Sequence, residues 1–122
     1  MKKNILVIDD DPLAQKMIVA VLEEEGHATV ASLSFEDALQ KARQTLPDLV
    51  LIDVVMPDIT GFDACRKIKG MFQPNPPPVI MMTGKLDAVD PILARKMGAD
   101  DFVVKTSDMA VLIKAVQKIL SE

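Results

Sequence analysis

The 122-residue chain has no Trp, no Tyr, one Cys and one His. The lone Cys65 cannot form an intrachain disulfide, so a reduced, cytoplasmic setting is expected. The lone His27 excludes a multi-histidine zinc site. Positive charge is short too: 14 Lys and Arg face 18 Asp and Glu, for a formal net charge of -4. Holding nucleic-acid phosphates requires clustered Lys and Arg, so no direct nucleic-acid binding is expected. Long apolar runs are missing. After Met1-Lys2-Lys3 the first run stops at Ile8 and meets three aspartates, too short for a signal sequence or a membrane span, so neither export nor membrane insertion is expected. No Gly-rich turn follows that run, which rules out a dinucleotide fingerprint or a P-loop there.

What is present suffices for one domain over residues 1–122. At this length folding removes roughly two thirds of the unfolded chain's surface from water, so a single core holds without disulfides or a structural metal. Strand-length apolar runs at Ile5–Ile8, Ala28–Ala31, Leu49–Ile52, Val79–Met82 and Phe102–Val104 alternate with segments of helical period. Leu13, Met17, Ile18, Val21 and Leu22 form one helical stripe; Phe35, Ala38, Leu39, Ala42 and Leu46 form another. Further helices are expected over Phe62–Met71, over Pro91–Met97 and on the stripe of Leu112, Ile113, Val116, Ile119 and Leu120. Asp11-Pro12 and Asp90-Pro91 read as cap and first helical residue, Ser34 with Asp37 as a capping box, and Gly26 and Gly98 as helix stops. Five such units give an α/β fold with a five-stranded, doubly wound parallel sheet and right-handed crossovers.

Ligands of such sheets bind beyond the carboxyl ends of the strands. Those ends carry Asp9-Asp10-Asp11, Asp53, Thr83-Gly84 and Lys105-Thr106. One carboxylate suffices to cap a helix, and Asp11 is placed to do so. Asp9 and Asp10 then remain, in a turn that would repel a phosphate and calls for a cation. Hard oxygen ligands suit Mg²⁺. If the first and third strands are neighbours, their ends lie about 4.8 Å apart. Metal bonds of roughly 2.1 Å from Asp10 and Asp53 would then meet at one ion.

Four blocks carry a resemblance to the receiver domain of two-component response regulators. They are Ile5-Leu6-Val7-Ile8-Asp9-Asp10-Asp11-Pro12, the run Asp48 to Phe62 with its Asp53 and Met56-Pro57, Val79-Ile80-Met81-Met82-Thr83-Gly84, and Gly98-Ala99-Asp100-Asp101-Phe102-Val103-Val104-Lys105. The resemblance implies the flavodoxin-like strand order 2-1-3-4-5, for which the chemotaxis receiver is a known example. It implies that Asp53 is phosphorylated by a partner histidine kinase or histidine phosphotransfer protein, or by a small phosphodonor. Mg²⁺ would be held by Asp10, Asp53 and the Val55 backbone carbonyl, with Asp9 acting through water. Thr83 would hydrogen-bond the phosphoryl group and Lys105 would pair with it. Thr83 and Phe102 would act as the switch, Phe102 through packing alone because it lacks a Tyr hydroxyl; by its place on the last strand Phe102 reads equally as a plain core residue. The output face would be residues 91–120, meeting an unknown downstream protein target as a monomer or a phosphorylation-dependent dimer. Such a domain is regulatory, and assists its own phosphorylation and dephosphorylation.

Phosphoryl transfer needs an in-line nucleophile and positive charge around three equatorial oxygens, which Asp53, Mg²⁺ and Lys105 would supply. Lys105 ends a strand two places from that of Asp53 in the implied order, about 10 Å across, so a long side chain fits there. One departure is Thr106, where many receivers have a proline after a cis bond. A cis bond before a non-proline residue costs about 2.5–4 kcal/mol, so a trans peptide is expected. That departure motivates an alternative, a degenerate receiver acting as a phosphorylation-independent interaction module. A haloacid-dehalogenase-type phosphohydrolase would carry a second Asp where this chain has Val55. Val55 and Lys85 flank the site at positions that influence acyl-phosphate lifetime in the family. His27 reads as a surface residue, so the donor histidine is expected outside this chain. Pro74, Pro76, Pro77 and Pro78 read as an extended connector into the fourth strand.

Overall fold

The alternating pattern resolves into strands and helices in a computed structural model, which describes residues 2–84, 91–96, 98–105 and 109–121. In chain order the elements are β1 (Asn4–Ile8), α1 (Pro12–Glu24), β2 (Ala28–Ser32), α2 (Phe35–Thr45), β3 (Leu49–Asp53), α3 (Gly61–Met71), β4 (Val79–Thr83), α4 (Pro91–Lys96), β5 (Asp101–Val104) and α5 (Ala110–Leu120). The strands form one parallel sheet in the order β2-β1-β3-β4-β5. That is the expected doubly wound α/β architecture.

The continuous apolar runs divide by parity, because successive side chains on a strand point to opposite faces. Leu6, Ile8, Val50, Ile52, Val79 and Met81 pack with Phe35, Ala38 and Ala42 of α2 and Ala64, Cys65 and Ile68 of α3. Ile5, Val7, Leu49, Leu51, Ile80 and Met82 pack on the other face with Ile18 and Leu22 of α1 and Leu112, Ala115 and Val116 of α5. Each large aliphatic side chain so buried contributes roughly 1.5–3 kcal/mol. The edge strand β2 is half-buried except at Ser32.

Three expected stripe members lie elsewhere. Leu13 is 68% exposed and Met17 38%, while α1 buries Ile18 and Leu22. At about 100° per residue, Leu13 and Met17 fall roughly 100–140° from Ile18 around the helix, off the core face. Leu46 is also exposed, as the left-handed C-cap of α2. The helix ends otherwise agree. Leu13 N donates to Asp11 Oδ1 at 3.0 Å, with Pro12 as first helical residue. Asp37 N donates to Ser34 Oγ at 3.2 Å, but the Asp37 carboxylate takes Ser32 Oγ and Lys41 Nζ, so half of the capping box is built. Gly26 and Gly98 follow their helices at φ 93° and 100°. Asp90 and Met97 lie outside the described residues.

At the amino ends of the strands two aspartates set the register. Asp48 donates its N–H to Asn4 O at 2.8 Å and accepts Asn4 N on Oδ2 at 2.8 Å. Asp100 repeats this with Val79, at 2.8 Å for both bonds. Each aspartate thus clamps both backbone groups of one residue on the neighbouring strand. The proline stretch runs into β4, with Pro77 buried and the Gln73–Pro74 peptide cis.

Candidate functional site

Register alone brings the acidic residues together. Ile8 pairs with Ile52, so Asp9 and Asp53 follow side by side at the ends of adjacent central strands. Asp9 is fully buried, Asp53 is 5% exposed and Asp10 faces solvent. One carboxylate oxygen from each of Asp9, Asp10 and Asp53 lies within 4.8 Å of the others.

Each buried carboxylate is held by its own turn. Asp9 Oδ1 accepts from Asp11 N at 3.0 Å, and Asp53 Oδ1 accepts from Val55 N at 3.0 Å. These side-chain turns leave both Oδ2 atoms facing one cation. Lys105 Nζ donates to Asp9 Oδ2 at 3.0 Å and to Asp53 Oδ2 at 3.1 Å. Lys105 reaches them because its own N–H donates to Thr83 O at 2.7 Å, which docks the end of β5 on β4.

Burial holds the Asp9 carboxyl above its ordinary value, against the opposing pull of the Asp11 N–H and of Lys105. For Lys105, burial acts to lower the pKa, but the hydrogen bond and charge of Asp9, with those of Asp53, outweigh it and hold the ammonium up. The pocket therefore keeps its internal cation while pressing one carboxyl toward neutrality.

The other expected residues take these places. Thr83 is buried beside the level of Asp53, one position past the Asp53–Met82 pair, and its hydroxyl donates to Gly84 O at 3.3 Å. Val55 is 55% exposed at the mouth of the site. Phe102, paired in register with Met81, is partly buried against the core on the α2 and α3 side. His27 is half-buried, its Nδ1 accepting from Lys3 N at 3.4 Å. Lys85 and Thr106, and with Thr106 the peptide that follows Lys105, lie outside the described residues.

Two contributors carry no expectation from the sequence. Ser32 is 2% exposed at the end of β2, where its carbonyl accepts from Asp9 N at 3.1 Å. The apolar run of β2 stops at Ala31, so only the register reveals Ser32. Gly61 packs directly under the end of β3: a Cβ there would lie 2.6 Å from Val54 Cα and 2.9 Å from Asp53 O. Its N–H donates to Val54 O at 2.8 Å, closing the loop after Asp53.

Three carboxylate oxygens, one on an exposed residue, make a hard, oxygen-only donor set that fits Mg²⁺ and not a soft metal. A second cleft, of about 470 Å³ and lined by Lys3, His27 and Gln117 among others, lies at the amino end of the sheet. It does not reach the acidic cluster.

The family model described as "Response regulator receiver domain" matches residues 5–117. Protein PilH of Pseudomonas aeruginosa is 34% identical over 118 residues, covering 97% of this chain and 98% of PilH. The DNA-binding response regulator MtrA of Mycolicibacterium smegmatis is 40% identical over 105 residues, covering 86% of this chain but 45% of MtrA, so the chain spans less than half of that relative. Among solved structures, the BeF3-activated receiver domain of Klebsiella pneumoniae RstA superposes with a TM-score of 0.85 at 31% identity, over 98% of this chain and 99% of that one. TrrA of Thermotoga maritima, solved in complex with Mg(2+)-BeF, gives 0.84 at 30% identity, over 96% and 98%. A family match of this extent, carried by sequence and fold together, shows that the chain belongs to the response regulator receiver domains of two-component signalling.

Proposed function

We propose that this receiver takes a phosphoryl group on Asp53 in an Mg²⁺-dependent reaction and thereby changes its affinity for a protein partner. The observation that carries the reading is the convergence of Asp9, Asp53 and Lys105 from three strand ends, with Asp10 at the rim. A degenerate interaction module would have no need of a lysine held between two buried carboxylates.

Asp53 Oδ2 already pairs with the Lys105 ammonium at 3.1 Å, and an aspartate carboxylate is itself the nucleophile, so the site needs no separate base. An Asp53 carboxylate oxygen attacks phosphorus; the bond from phosphorus to the donor breaks as the acyl-phosphate bond forms, and the bonding pair leaves with the donor. The donor is a phosphohistidine of a partner kinase or phosphotransfer protein, or a small molecule such as acetyl phosphate. Asp10, Asp53 and the Val55 carbonyl would hold Mg²⁺ directly and Asp9 through water, its charge offsetting that of the phosphoryl oxygens. Lys105 exchanges its carboxylate partners for a phosphoryl oxygen, and the Thr83 hydroxyl turns to donate to another. The same groups serve the attack of water when the acyl phosphate is hydrolysed, so the domain assists its own dephosphorylation while remaining a regulator.

The output follows from differential contacts. The phosphoryl group engages Thr83 and Lys105, which bracket the ends of β4 and β5, and so favours one packing of Phe102 over another. The 91–120 face next to them offers exposed Ile92, Val104 and Val111 to a downstream protein or a second copy, as a monomer that meets its target or a phosphorylation-dependent dimer. Among the described residues no helix is long and apolar enough to cross a membrane. We place the domain in the cytoplasm, with the kinase domains that would serve it.

Incubation with acetyl phosphate and Mg²⁺, followed by intact mass, tests the reading. The expected result is a gain of one phosphoryl group that EDTA prevents and Asp53→Asn abolishes. No gain, or an equal gain in Asp53→Asn, would overturn it.

A further inference from the structure

The turn between β2 and α2 touches both loops that bear the acidic residues. On one side, the Ser32 carbonyl accepts from Asp9 N at 3.1 Å and from Gln15 Nε2 at 2.8 Å. The Ser32 hydroxyl lies 2.8 Å from Ser34 O and 2.7 Å from Asp37 Oδ2, which stiffens the turn itself. On the other side, Phe35 N, the first N–H of α2, donates to Asp58 Oδ2 at 3.2 Å. Asp58 comes from the loop after Asp53, 23 positions along the chain from Phe35.

That loop is closed toward α3 by the Gly61 N–H to Val54 O bond and by pairing of Val55 with Thr60. Its tie toward α2 is Asp58. The helix itself has little use for another carboxylate. Ser34 already caps α2, and Glu36 and Asp37 already place negative charge in its first turn. A third carboxylate there adds repulsion to the two already in the first turn. The benefit therefore falls to the loop.

We propose that Asp58 is a positioning residue for the acidic site. By anchoring the 54–60 loop to the same turn that holds the Asp9 backbone, it fixes Val55 relative to Asp9 and Asp10. The proposal rests on the reading that Asp10, Asp53 and the Val55 carbonyl hold Mg²⁺.

Calorimetric titration of the full chain with Mg²⁺ tests it, using wild type, Asp58→Ala, Asp58→Asn and Asp10→Asn. Asp58→Ala removes the acceptor and is expected to raise the Mg²⁺ dissociation constant about three- to tenfold, the equivalent of one ordinary hydrogen bond. Asp58→Asn keeps a side-chain oxygen for Phe35 N and is expected to stay within about twofold of wild type. An unchanged constant in Asp58→Ala overturns the proposal. Equal weakening in Asp58→Ala and Asp58→Asn also overturns it, by assigning the effect to charge. Asp10→Asn separates the two levels: if it binds Mg²⁺ like wild type, the metal reading itself fails, whereas if it alone loses affinity, only the role of Asp58 fails. Asp58→Ser, too short to reach Phe35 N, replaces Asp58→Ala if that variant does not fold.

Discussion

Lys105 Nζ donates to Asp9 Oδ2 at 3.0 Å across 96 positions of sequence, joining the last strand to the first. The Asp9 side chain is fully buried and that of Lys105 is 17% exposed, so water screens the pair little. Asp53 accepts from the same ammonium, and Asp10 adds a third carboxylate at the rim. One cation among three carboxylates is a pocket balanced for a second positive charge.

The balance has a pH signature in metal-free protein. Burial raises the Asp9 carboxyl above 3.8, so the stability it contributes is fully present below about that value and is lost as pH rises through its folded pKa. Lys105 is raised above 10.5, so its contribution is fully present up to that value and is lost only in alkali beyond it. Between them the pH dependence of this pair belongs to Asp9. In denaturant titrations with EDTA from roughly pH 4 to 7, the stability of Asp9→Asn relative to wild type is expected to rise with pH. A flat or falling difference would show that Asp9 is not held up.

Gly61 and Gly70 belong to the same helix, yet alanine should act oppositely at the two positions. A Cβ on Gly61 would meet Val54 Cα at 2.6 Å and Asp53 O at 2.9 Å, whereas nothing lies within 4 Å of one on Gly70. Gly61→Ala is expected to cost about 1–3 kcal/mol and to impair labelling of Asp53 by displacing the end of β3. Gly70→Ala is expected to gain about 0.5–1 kcal/mol from helix propensity and leave labelling unchanged. Chemical denaturation of the two variants decides, and equal effects would contradict this account of the loop.

Leu46 holds a left-handed conformation at φ 48° while its side chain is 66% exposed. The residue carries the cost of a Cβ in that region and recovers little of it by packing. Leu46→Gly is expected to stabilise by about 1 kcal/mol, raising the thermal midpoint by about 3–6 °C. A lower midpoint would mean that Leu46 packs more than its exposure indicates.

Burial pushes the Cys65 thiol up to about 11, with Lys69 pulling it down and Asp100 pushing it further up. Little thiolate then exists near pH 8 in the folded protein. An aromatic disulfide reagent is expected to react slowly with native protein and fully once denaturant is added. Rapid stoichiometric reaction under native conditions would contradict the buried placement of Cys65 on the core face of α3.

The elements and most of the candidate site were legible because both rest on local pattern. Apolar runs fixed the strands, and reading their ends located Asp9, Asp10, Asp53, Thr83 and Lys105. What escaped depends on geometry between elements. Ser32 lies one residue past the apolar run of β2, so its contact with Asp9 needs the register. The Asp58 to Phe35 bond needs the docking angle of α2. Leu13 and Met17 fit the apolar helical stripe, but the buried face of α1 is set by Ile18 and Leu22. The resting partners of Lys105 depend on the order of three strands.

Borohydride trapping tests the central claim most directly. Reduction of an aspartyl phosphate leaves homoserine at the phosphorylated position, which peptide mass spectrometry locates. After incubation with acetyl phosphate and Mg²⁺, homoserine is expected at position 53, and nowhere when EDTA is present. Homoserine at position 9 or 10, or none at all in folded protein, would contradict the assignment of Asp53 as the phosphoryl acceptor.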